Sequence, residues 1–228
     1  MSGLTVIAHG AANSPAALAR AAGQADVVEA DVRRFWGRLE VRHAKTLGPV
    51  PVLWEGRRLL DPRTPRPRLA DALAWVGPDV ELMLDLKGPD PRIGPDMLAA
   101  TRDWREHRGL LVSARSWRTA DRLRGAPGIV VLHSVGGPRG LRRLLRRYGP
   151  GELEGVAVKR GLLTPGVVAA LRERAPRVWT WPVNDLQTAR ALAGWGVTGL
   201  TSDAPALLAP VRRTPGGPSL ADCGKTAR

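Results

Sequence analysis

At 228 residues the chain can bury a sizeable core and is a normal length for one α/β barrel domain. Its formal charge is +14, carried by 31 arginines and 4 lysines spread over nearly every segment; Tyr148 and Phe35 are the only residues of their kinds, so no ladder of aromatics exists for stacking bases and nucleic acid is an unlikely partner. One cysteine, Cys223, excludes a disulfide framework and a thiolate metal site, and no run reaches the roughly 18 apolar residues of a membrane span, so a cytoplasmic location is expected.

The first apolar run, 4–9 (LTVIAH), reads as a strand ending on His9 and is followed by a helical pattern at 15–23. The second, 27–32 (VVEADV), sets Glu29 and Asp31 on one strand face and Val28, Ala30 and Val32 on the other. The repulsion between the two carboxylates requires a metal ion, a basic neighbour such as Arg33 or Arg42, or open solvent. The run 38–43 (RLEVRH) follows a turn at Trp36-Gly37 too short for a parallel crossover. It is therefore expected to fold back antiparallel as a hairpin, bringing residue 43 opposite about residue 30 and returning His43 to the level of the two acids.

Further strands are expected at 80–86, 109–114, 129–134, 155–159, 177–183 and 197–202. Helices are expected at 68–76, 94–107, 116–124, 138–148, 164–174, 185–194 and, briefly, near 204–209. The arginine-dense run 140–149 (GLRRLLRRYG) has leucines on one helical face and arginines on the other, as a solvated helix does. Eight strand-helix units imply an α/β (β/α)8 TIM barrel with a β-hairpin extension after strand two. Residues 1–210 form a single barrel domain in this reading, and 211–228, which lack apolar periodicity, form a disordered tail.

Chemistry in such a barrel sits at the C-terminal ends of its strands. Those ends carry His9, Glu29 with Asp31, Asp85 with Lys87, Ser113 with Arg115, His133, Lys159, Asn184 and Asp203. Three carboxylates without a thiolate suit a hard divalent cation, Mg²⁺ or Ca²⁺. Two imidazoles suit proton transfer near neutral pH, and a cation with a lysine suits phosphoryl oxygens, so the set fits cleavage of a small-molecule phosphodiester. Lys87 reads equally well as a structural ion-pair partner of Asp85, two residues away on the same strand face.

At these residues the chain resembles the glycerophosphodiester phosphodiesterase family. The resemblance rests on IAHGA, VEADV, LEVRHA, LMLDLK, VWTWPVND and GVTGLTSDAP, which in order and spacing are similar to that family's motifs. It implies His9 and His43 as the acid/base pair, Glu29, Asp31 and Asp85 as metal ligands, Lys87 as a phosphate contact, and an alcohol and glycerol phosphate as products of lipid-derived diesters. His133, Lys159, Trp181 and Asn184 are further candidates for substrate or phosphate contacts. Gly10 stands where the family has arginine, Ala44 where it has aspartate, and Asp85 where it has glutamate; Arg42, Arg115 or Lys159 would have to supply the missing cation. Only about forty residues, 44–84, fill the space of the family's insertion, so the pocket is expected to be more open or differently covered. Two other readings stay open: an inert barrel that binds anionic ligands or nucleic acid, and a phospholipase D-like enzyme that forms a cyclic phosphate.

Overall fold

The computed structural model describes residues 3–213; Cys223 and the expected tail beyond 213 lie outside the described residues. In chain order β1 (Thr5–Ala8) and β2 (Val27–Phe35) are followed by the hairpin strand β3 (Arg38–Val41) and by three short strands, β4 (Lys45–Leu47), β5 (Val50–Glu55) and β6 (Arg58–Leu59). Then come β7 (Glu81–Lys87), β8 (Leu110–Ala114), β9 (Ile129–Val135), β10 (Gly155–Lys159), β11 (Arg177–Trp181) and β12 (Gly199–Ser202). The parallel strands β1, β2 and β7 to β12 pair in sequence, and β12 pairs back on β1, closing a (β/α)8 barrel.

The helices are α1 (Pro15–Ala21), α2 (Leu69–Trp75), α3 (Ile93–Ala100), α4 (Arg102–His107), α5 (Trp117–Leu123), α6 (Pro138–Arg147), α7 (Pro165–Arg174) and α8 (Leu186–Gly194). Ser14, Ser116, Thr164 and Asp185 cap α1, α5, α7 and α8, each side chain accepting a backbone N–H three residues on. The sequence pattern predicts one helix over 94–107, but it is broken between α3 and α4. The break falls at Thr101, fully buried, whose hydroxyl donates to the Met97 carbonyl at 2.8 Å and so competes with the helical ladder.

Strand alternation divides the core. Ile7, Val27, Met83, Leu111, Val130, Leu132, Ala157 and Trp179 fill the barrel interior, while the alternate positions face the helices. Gly199 makes room for Trp179: a Cβ at that position would lie 2.6 Å from the indole Cδ1.

The hairpin pairs antiparallel with Val32 opposite Val41 and Phe35 opposite Arg38, the register expected from the turn. Two features differ from the sequence-based expectation. Residues 45–59 form a separate antiparallel sheet, β4-β5-β6, and the chain does not leave the barrel at residue 210. A 3-10 helix, Pro205–Val211, runs up to Arg212, which bridges to Leu4 and donates to Asp26 Oδ1 at 2.9 Å and to the Gly23 and Ala25 carbonyls. An arginine clamp carries no apolar periodicity, so the pattern stops before the anchoring does. Among the described residues no helix is long and apolar enough to cross a membrane.

Candidate active site at the barrel mouth

Adjacent parallel strands put like residues side by side, and the register of β2 against β7 sets Asp31 beside Asp85 and Arg33 beside Lys87. Glu29, two residues before Asp31 on the same face, is 3% exposed. Ligand oxygens of Glu29, Asp31 and Asp85 all lie within 4.8 Å of one another. Such crowding of buried acids raises the cost of ionising all three. Burial first, then Asp31 and Asp85, push the Glu29 carboxyl up to about 8.

Asp31 moves the other way. Burial opposes its ionisation, but the Lys87 ammonium at 2.8 Å and the Asn13 amide hold its carboxyl below the usual range. Asn13, on the 3-10 helix Ala11–Asn13, donates Nδ2–H to Asp31 Oδ2 and accepts the Asp31 N–H, both at 2.8 Å. Lys87 also bonds Asp85, and although burial opposes its charge, Asp85, Asp31 and Glu29 raise its affinity for the proton. The repulsion posed by the sequence is thus relieved by a basic neighbour, though neither arginine serves: Arg42 pairs with Glu40 at 2.6 Å, and Arg33 donates to the His43 carbonyl.

One lysine leaves carboxylate oxygens over. Glu29 Oε2 and Asp85 Oδ1 are buried and have no hydrogen-bond partner, and His9 Nε2 stands 3.8 Å from Glu29 Oε2, beyond hydrogen-bonding range. Orphaned carboxyl oxygens converging from two strands are the donor set a hard divalent cation takes, so the residues present fit a metal ion.

His9 and His43 meet above these acids with ring centroids 6.0 Å apart and planes at 87°. Each imidazole has a carboxylate behind it. His9 Nδ1 bonds Asp203 Oδ1 at 2.7 Å, and His43 Nδ1 bonds Glu55 at the end of β5. A carboxylate on Nδ1 favours the tautomer that leaves Nε2 free for chemistry. Burial lowers the proton affinity of His9, but Glu29, Asp203 and Asp31 outweigh it and the net shift is upward. The Asn184 amide donates to Asp203 Oδ2 at 3.0 Å, and Asp203 is held below the ordinary carboxylate range by Asn184 and His9. The cavity between the imidazoles and the far wall measures about 260 Å³ and is lined by Lys87, Ser113, Arg115, Ser134, Trp179 and Trp181 among others, with the Arg115 guanidinium 5.4 Å from the Trp181 ring.

No family model and no curated protein matches the chain. Solved structures do resemble it. A protein from Silicibacter pomeroyi, described as a glycerophosphoryl diester phosphodiesterase, superposes with a TM-score of 0.73 at 20% identity over 98% of this chain and 95% of its own. A phosphodiesterase from Oleispira antarctica, in complex with the product sn-glycerol-3-phosphate, has a TM-score of 0.69 at 20% identity over 92% of this chain and 96% of its own. A glycerophosphodiester phosphodiesterase from Parabacteroides distasonis has a TM-score of 0.69 at 19% identity, covering 92% and 97%.

This chain has the glycerophosphodiester phosphodiesterase fold.

Within that fold the residues predicted from sequence separate clearly. His9, His43, Glu29, Asp31, Asp85, Lys87 and Trp181 converge on the mouth. His133 does not. It alternates on β9 with Leu132 and Ser134, which face inward, so it points outward and is 1% exposed. There its Nε2 bonds Asp121 of α5 at 2.9 Å beside Tyr148, and burial lowers its proton affinity. Lys159 ends β10 exposed and does not line the cavity, and Asn184 reaches Asp203 and Ser202 rather than the cavity itself. Of the three cations that could replace the family's arginine at Gly10, Arg115 alone lines the cavity, since Arg42 is buried against Glu40 and the Ala44 carbonyl.

Sequence reasoning missed three supporting residues: Asn13, Glu55, and the role of Asp203 behind His9. Only Asp203 had a signal, its place at a strand end.

Proposed function

We propose that the protein is a metal-dependent phosphodiesterase that hydrolyses glycerophosphodiesters to an alcohol and glycerol phosphate. The observation that carries this reading is the pair of imidazoles, each oriented by a carboxylate on Nδ1, facing one another across three converging acids and a lysine. The similarity in fold to a phosphodiesterase bound to sn-glycerol-3-phosphate supports the same substrate class.

Glu29, Asp31 and Asp85 would hold the cation, Mg²⁺ or Ca²⁺, which when bound supplies Lewis-acid polarisation of a phosphoryl oxygen. Lys87 and Arg115 on the cavity wall offer charge to the remaining phosphoryl oxygens. One imidazole Nε2 takes a proton from the attacking water as its oxygen bonds phosphorus, and the other gives a proton to the alcohol oxygen as its bond to phosphorus breaks. Trp179 and Trp181 provide an apolar wall that keeps bulk water from the reacting centre.

Purified protein with Mg²⁺ or Ca²⁺ and glycerophosphocholine is expected to release glycerol phosphate. Excess EDTA should abolish turnover, and His9→Ala or His43→Ala should lower kcat by about 10²–10⁴-fold. Full turnover in EDTA would overturn the metal role, and a cyclic phosphate as product would replace hydrolysis by internal attack.

A further inference from the structure

The sheet β4-β5-β6 has two faces with different duties. On β5 the inner residues are Leu53, 2% exposed, and Glu55, which bonds His43. The outer residues, Val50, Val52 and Trp54, continue sideways into Leu47 opposite Val50 and Leu59 opposite Trp54. This outer face is open: Leu59 is 68% exposed, Leu47 50% and Val50 49%. Trp36, 70% exposed on the turn between β2 and β3, lines a separate groove with Pro51, which alternation places on the inner side of β5 with Leu53 and Glu55, so Trp36 is not part of this outer face. A contiguous exposed apolar face is unusual on a protein surface and marks a contact with something apolar.

The surroundings are cationic. Between residues 45 and 68 six lysines and arginines accompany only two acids, of which Glu55 is engaged with His43. Lys45 lies 5.1 Å over the Trp54 ring, and Arg57 and Arg58 line a groove with Leu47, Trp54 and Leu59. Aliphatic and indole side chains ringed by lysine and arginine match a bilayer surface bearing anionic headgroups: the apolar groups enter the acyl boundary while the cations meet phosphate.

We propose that the outer face of β4-β5-β6 docks the protein on an anionic lipid membrane. The proposal stands on this surface and does not depend on the phosphodiesterase reading. Glu55 and Trp54 are consecutive on β5 with their side chains on opposite faces, so the docked face backs the strand that orients His43.

The test is sedimentation with vesicles of phosphatidylcholine alone or mixed with phosphatidylglycerol, using the full chain and the double variant Leu47→Glu/Leu59→Glu. Both replaced side chains are exposed, so the variant is expected to keep its melting temperature; Leu47→Ser/Leu59→Ser serves if it does not. The wild-type chain should sediment with the mixed vesicles and not with phosphatidylcholine alone, and the variant should bind at least about tenfold more weakly. The variant should also cleave water-soluble glycerophosphocholine at the wild-type rate, which shows that its loss of vesicle binding is not a loss of fold.

Wild-type chain that ignores both vesicles, or a variant that binds as tightly as wild type, overturns the docking. A wild-type dimer that the variant converts to monomer overturns it too, assigning the face to self-association. Vesicle binding without cleavage of the soluble diester keeps the docking and overturns the enzymatic reading.

Discussion

Glu29 carries the largest electrostatic burden in the site. Its carboxyl, ordinarily titrating at 4.5, is raised to about 8 by burial and by Asp31 and Asp85. A raised acid means that the folded state holds the proton more tightly than the unfolded chain, so this group's contribution is fully present below about pH 4.5 and is lost as pH rises toward about 8. Melting curves of metal-free protein should therefore fall across that window, and Glu29→Gln should flatten the slope because its amide does not ionise. Added Mg²⁺ or Ca²⁺, which competes with protons for the same oxygens, should raise the melting temperature more at pH 8 than at pH 5. An equal rise at both would argue against cation binding by these acids. The convergence of Glu29, Asp31 and His43 was legible in the sequence because strand alternation and hairpin register are geometric rules. Asn13 and Glu55 were not, since each arrives from a loop or an added sheet whose path no periodicity dictates.

The strands and helices were legible nearly throughout, because the barrel strands are short, largely apolar runs and four of the helices open on a capping Ser, Thr or Asp. What the pattern could not give was the facing of β9. A run that is buried on both sides, IVVLHSV, has no polar alternation to reveal which residues point inward, and His133 is one position out of phase with the cavity. Its role is with Asp121, which also accepts from Tyr148 Oη at 2.8 Å and Arg147 at 2.7 Å. Asp121→Ala should cost about 1–3 kcal/mol in urea unfolding, by stranding buried polar groups, and leave kcat unchanged. A loss of turnover without loss of stability would return His133 to the reaction. Gly199 offers the complementary case in the barrel interior. Gly199→Ala drives a methyl into the indole of Trp179, a side chain 1% exposed, and should destabilise by about 1–3 kcal/mol, with a changed tryptophan emission as the readout. The small sheet had a signal in the alternation of Val50, Val52 and Trp54 before Gly56, but three strands this short do not rise above loop composition.

The whole barrel is closed at its base by residues from opposite ends of the chain. Asp26, 7% exposed, accepts from the Val6 N–H and from Arg212, whose other nitrogens reach the Gly23 and Ala25 carbonyls. Arg212→Ala should cost about 2–3 kcal/mol, with an unchanged denaturant slope if the fold remains two-state, because it strips a buried carboxylate of its strongest partner. A neutral result would mean that Arg213, 3.5 Å from the same oxygen, suffices. At the opposite rim Lys87 lies between Asp31 and Asp85 and supplies a positive charge from within the chain. On the proposed metal-dependent reading, the nascent polypeptide would complete its architecture before any inorganic ion arrives, loading would be a late and reversible event, and a cell short of divalent ions would hold a reserve of intact, idle protein.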